Sequence, residues 1–163
     1  MRLGEVELRV HHPPQPGWER QRVRNDDSLV IEVRYGRVSL LLTGDISRAV
    51  ESGLADAMDL LPTVVLKAPH HGSSTSSSMP FLLRLRPAAV LVSAGRGNPY
   101  GHPTRDVLAR YAAVGAKVFR TDRDGQIELI TDGESLEVKT FTGLRWRGRG
   151  SELPALSVDH DHD

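Results

Sequence analysis

The chain has 163 residues, 39% of them apolar and 26% charged, a size and make-up suited to one domain with a real core. Lys plus Arg (21) equals Asp plus Glu (21), so the balance gives no support to strong unspecific nucleic-acid binding and leaves only a local basic patch open. The absence of cysteine excludes disulfides, Cys-ligated zinc and thiol nucleophiles.

No apolar run approaches the ~20 residues of a membrane helix. The start, Met1-Arg2-Leu3-Gly4-Glu5, lacks the apolar core of a signal peptide. As a sequence, the chain reads as soluble and without a recognisable address. Alternation of Val6, Leu8 and Val10 predicts a first strand, ended by His11-His12-Pro13-Pro14. A Pro-, Gly- and charge-rich loop of about fifteen residues is expected up to Asp27. Residues 28–35 alternate again, Gly36-Arg37 makes a turn, and 38–43 are nearly all apolar. The two runs predict a hairpin whose second strand is buried on both faces.

Residues 46–61 carry Ile46, Ala49, Val50, Leu54, Ala57, Met58 and Leu61 at helical spacing. Asp45 stands just before them, where its plain structural role is an N-cap. Strands are expected over 63–68, 88–93 and 116–120. A short helix is expected over 79–84, and a longer one over 105–114, capped by Thr104 and ended by Gly115. Residues 94–102 form a Gly-rich loop, 122–125 a turn, and 126–131 with 135–141 a closing hairpin. The order implies an α/β domain, a mixed sheet covered by helices, over 1–141. A disordered tail is expected over 142–163.

Two apolar strands end in groups able to bind metal: Thr43-Gly44-Asp45 and Ala68-Pro69-His70-His71-Gly72. Imidazole nitrogen and carboxylate oxygen suit Zn²⁺ or Mn²⁺, and a dinuclear hydrolase uses a bridging carboxylate and a bridging water. The alternative is a capping Asp and a strand-end turn. His102, fixed between Gly101 and Pro103, reads as a ligand, a general acid, a phosphate contact or a plain loop residue. The Ser/Thr run 73–78 reads as phosphate-binding donors or as a flexible loop with capping serines. No Gly-x-Ser-x-Gly elbow supports a serine nucleophile. His11-His12 is a further ligand or an exposed loop, and Asp159-His160-Asp161-His162-Asp163 a loose chelator or a solvated tail.

Five motifs in this order carry a resemblance: Asn25-Asp26-Asp27-Ser28-Leu29-Val30, Leu41-Leu42-Thr43-Gly44-Asp45, Lys67-Ala68-Pro69-His70-His71-Gly72-Ser73, Gly97-Asn98-Pro99-Tyr100-Gly101-His102-Pro103 and Arg120-Thr121-Asp122-Arg123-Asp124-Gly125. Over about residues 5–133 the chain resembles the C-terminal metallo-β-lactamase-fold domain of ComEC-type DNA-uptake (competence) proteins. The resemblance implies an αββα sandwich with a divalent metal site, Zn or Mn, holding two ions in the complete domain. It makes Asp45 the bridging aspartate and His70 the favoured histidine ligand, with His71 behind it or in its place. It sets His102 near the site as a catalytic group. It further implies nuclease-like action on DNA beside a membrane channel domain, at the outer face of the cytoplasmic membrane in a full-length member.

The early H-x-[HD]-x-D-H motif of that fold is absent. The resemblance therefore implies the C-terminal half of the domain, as a fragment or a truncated product, incomplete at its N-terminal side. A half sandwich would expose an apolar sheet face. Three functions stay open: a metal-dependent phosphodiesterase acting on DNA, an inactive remnant or docking module, and a related hydrolase of another phosphodiester.

Overall fold

The structure is a computed structural model that describes residues 1–14 and 24–148. Seven strands form one mixed sheet in sequence order: β1 (Arg2–Leu3), β2 (Val6–His12), β3 (Val30–Tyr35), β4 (Val38–Leu42), β5 (Thr63–Lys67), β6 (Ala89–Val92) and β7 (Lys117–Arg120). β1 to β4 pair antiparallel, and β4 to β7 pair parallel. The crossovers carry α1 (Arg48–Ala57), α2 (Met79–Leu85) and α3 (Arg105–Ala113). A four-residue helix, α4 (Thr121–Asp124), follows β7 where the sequence predicts a turn. A second antiparallel sheet holds β8 (Ile127–Thr131), β9 (Leu136–Thr140) and β10 (Arg145–Gly148) in the order β10-β9-β8.

β5 and β6, in the middle of the parallel part, are mostly apolar and buried because both their faces are covered. Leu66, Val90 and Val92 pack with Leu54, Phe81, Leu82, Val107 and Tyr111 in one core cluster, on the helix side. Val65, Ala89 and Phe119 pack with Leu136 and Val138 of the second sheet in another. The molecule is thus an α/β sandwich, with helices on one face of the large sheet and a small sheet on the other. The predicted hairpin forms with Tyr35 opposite Val38. Gly36 in its turn has φ +55, and a Cβ there would meet the Gly133 carbonyl in the β8–β9 turn. β4 is buried at Val38, Ser39 and Leu41, but Leu42 is 37% exposed. Val10 and Leu42 are in register across Ile31, and Val10 is 63% exposed.

Three expectations change. The helix predicted over 46–61 spans only Arg48–Ala57, because the chain turns extended at Met58 ahead of Pro62. Ile46 and Met58 fit the apolar period yet are buried from non-helical backbone. The cap is Ser47, whose Oγ accepts the Ala49 N–H at 3.3 Å, so Asp45 is not the N-cap. Last, the chain is still ordered past 142: Arg145–Gly148 pairs with β9, and Trp146 meets Phe119 edge-on at 5.9 Å. The rest of the predicted tail, from 149, lies outside the described residues, as does much of the predicted loop before Asp27. Trp146→Ala is expected to cost about 1.5 kcal/mol, since the ring is half-buried; urea unfolding reads it as a lower midpoint at unchanged slope. Among the described residues no helix is long and apolar enough to cross a membrane.

Candidate functional site

Parallel strands aim their carboxyl ends at one sheet edge, where open α/β folds bind ligands. Here the edge collects the loops after β4, β5 and β6. The β4 and β5 loops are tied together: Thr43 Oγ1 donates to the Lys67 carbonyl (2.8 Å) and the His70 N–H donates to the Gly44 carbonyl (3.0 Å). The Asp45 N–H donates to Ser28 Oγ (3.0 Å), and Asp26 Oδ1 accepts the Ser47 N–H (2.8 Å). The Asn25–Ser28 motif is therefore a brace for the Asp45 loop.

His70 and His71 both hold left-handed backbone, φ 46 and 54. Such conformations in non-glycine residues cost energy and concentrate at functional sites. The two rings have different partners. Of the two, His71 faces the aspartate, with Nε2 3.6 Å from Asp45 Oδ1. Its Nδ1 donates to the Ser93 carbonyl at 2.8 Å, which leaves Nε2 as the nitrogen with the free lone pair. His70 instead meets His102 edge-on, ring centroids 5.9 Å apart. His102 stacks on Tyr100 at 6.0 Å, and its Nδ1 is buried without a hydrogen-bond partner among the described residues. Burial, then the nearby His70 and His71, hold its pKa below the ordinary histidine value.

So the four predicted residues Asp45, His70, His71 and His102 do share one edge. A spacing of 3.6 Å is too long for a hydrogen bond. It is close to the ~3.4 Å between two ligands, each ~2.1 Å from one tetrahedral ion. The pair fits a metal, but the set is short: among the described residues no group of three or more His, Cys, Asp or Glu is placed to hold one.

His11 and His12 do not join the site. His11 Nε2 pairs with buried Glu32 (2.9 Å), and His12 Nε2 meets the Asp26 carbonyl (2.7 Å). The Ser/Thr run is internal bracing: Ser76 Oγ donates to the Pro69 carbonyl and Ser77 Oγ bonds Tyr111 Oη.

Four residues inside the quoted motifs have roles that sequence reasoning did not assign. Lys67 ends β5 half-buried, its Nζ donating to the Ala68 carbonyl (2.9 Å); burial lowers its pKa and Asp45 partly restores it. Thr121 Oγ1 donates to the Ala94 carbonyl and accepts the Ala94 N–H, both at 2.8 Å, so the Arg120–Gly125 motif props the loop after β6. Asn98 and Tyr100 shape a cleft of about 270 Å³ beside His71 and His102. The signal for the last two was the Asn-Pro-Tyr-Gly turn chemistry. A larger hollow of about 760 Å³ lies on the small sheet, lined by Thr131, Glu137 and Arg147 among others, with no histidine among its described lining.

These observations define an α/β sandwich domain with a His–Asp cluster on the carboxyl edge of its parallel strands. The chain belongs to the ComEC-type competence family. It is 31% identical to ComE operon protein 3 of Bacillus subtilis over 78% of this chain. It is 40% identical to Competence protein ComA of Neisseria gonorrhoeae over 64% of the chain, and 35% identical to Recombination protein 2 of Haemophilus influenzae over 72%. The matched part is 16%, 15% and 15% of those proteins, so the chain spans only about a sixth of their length. No family model matches it.

Proposed function

We propose that this edge is one side of a metal-dependent phosphodiesterase site, in a metallo-β-lactamase-like domain that acts on DNA during natural transformation. The observation that carries the reading is the Asp45–His71 pair, 3.6 Å apart, with Nδ1 of His71 already committed to a carbonyl. The names of the competence relatives support the DNA-uptake setting. The same reading sets the domain beside a membrane channel, at the outer face of the cytoplasmic membrane.

In it, Asp45 and His71 supply two donors toward a divalent ion, Zn²⁺ or Mn²⁺, and a bound ion would supply an activated water. Two donors are fewer than a catalytic ion takes, so the reading requires donors beyond this pair. His70 and His102 share the same edge, and His102, its pKa held below the ordinary histidine value, steadies the leaving oxygen. A second reading, an inactive remnant or docking module, is favoured by the incomplete donor set.

Calorimetric titration of the full chain with Mn²⁺ and with Zn²⁺ separates the two. The site reading expects binding that Asp45→Ala and His71→Ala each weaken at least tenfold, with metal-dependent DNA cleavage lost in a full-length family context. Equal affinity in wild type and both variants, or cleavage unchanged in both, removes it.

A further inference from the structure

We propose that the cleft beside His102 is a nucleobase pocket for single-stranded DNA, with Tyr100 as its stacking surface. The inference rests on the phosphodiesterase reading and adds what holds the substrate's bases. The cleft, about 270 Å³, is lined in part by His71, Ser93, Gly95, Asn98, Tyr100 and His102. A duplex shows its bases only as groove edges and cannot offer a ring face.

Tyr100 is 78% exposed, yet its ring lies within 22° of parallel to the His102 ring. The loop that holds it there is pinned. Asn98 Nδ2 donates to the carbonyls of Gly95 (3.1 Å) and His102 (2.8 Å), and Asn98 Oδ1 accepts the His102 N–H (3.0 Å). An aromatic face held rigid in solvent beside a cleft loses little freedom on binding and offers the sequence-tolerant stacking that single strands use. His71 lines the cleft and also faces Asp45. A base seated on Tyr100 therefore sets its own phosphate toward the Asp45–His71 edge.

The test is fluorescence anisotropy of the full chain with a labelled oligothymidylate and with an abasic strand of equal length, at one fixed salt concentration. Wild type is expected to prefer the base-bearing strand about tenfold, equivalent to ~1.4 kcal/mol. Tyr100→Ala should erase the preference without changing abasic affinity, and Tyr100→Phe should keep it. Equal wild-type affinity for both strands, or a preference that survives Tyr100→Ala, overturns the pocket while the phosphodiesterase reading stands. No binding of either strand removes the pocket and counts against the DNA reading as well.

Discussion

Glu51→Ala is expected to lower the unfolding free energy by about 3 kcal/mol, because it leaves two buried amides without an acceptor. Glu51 sits in the first turn of α1 and is fully buried. Its carboxyl oxygens accept the N–H groups of Ser77 and Ser78, the latter at 2.8 Å, just before α2 begins at Met79. One side chain of α1 thus closes the open N-terminus of α2, where free amide donors favour a carboxylate. Ser77 is held at φ 55, and its Oγ bonds Tyr111 Oη of α3 at 2.7 Å. Three helices meet in this network, so its loss should appear as a lower urea midpoint with the slope kept.

The same network has a pH signature. Burial pushes the Tyr111 hydroxyl up to about 12. The folded state therefore favours the protonated phenol, and that stability is complete below the unfolded value near 10 and is lost as pH climbs from about 10 to 12. Tyr111→Phe should remove that part of the alkaline loss. A Glu51→Ala variant within 1 kcal/mol of wild type would show that water satisfies the amides instead.

Much of the fold was legible because burial writes itself into period and punctuation. The 28–43 hairpin followed from alternation plus Gly36-Arg37, and β5 and β6 from unbroken apolar runs between helical segments. What misled was periodicity without long-range information. Ile46 and Met58 fall on the helical period, but only Ser47 and the extended Met58 backbone decide where α1 starts and stops. β10 escaped because an Arg- and Gly-rich string looks like a tail; its pairing with β9 and its one aromatic contact are distant in sequence. The candidate site shows the same division. Asp45, His70, His71 and His102 announced themselves by residue type at strand ends. Which histidine meets the aspartate did not, since it depends on two left-handed residues in a row, and neither His70 nor His71 is a residue type that signals φ above zero as glycine does.

Gly72→Ala is expected to cost about 3 kcal/mol and to disturb the site without touching any of its polar groups. Gly72 completes the left-handed run after His71 with φ +83, and an alanine there carries a backbone cost of ~1–2 kcal/mol. Its Cβ would also lie 2.6 Å from Pro103 Cβ and 3.1 Å from Pro103 Cα, adding an overpacking cost of ~1–3 kcal/mol. The Thr104 N–H donates to the Gly72 carbonyl at 3.0 Å, so the two loops cannot simply part. Gly97→Ala is the control: it has φ +62 but nothing within 4 Å of the added carbon, so only the backbone cost applies. If the two variants lose equal stability in urea, the contact with Pro103 does not hold these loops. If Gly72→Ala loses more, the close approach of Gly72 to Pro103 is what holds the His71 and His102 loops together beside one cleft. The base preference assigned to Tyr100 should then fall in Gly72→Ala, although Tyr100 itself is intact.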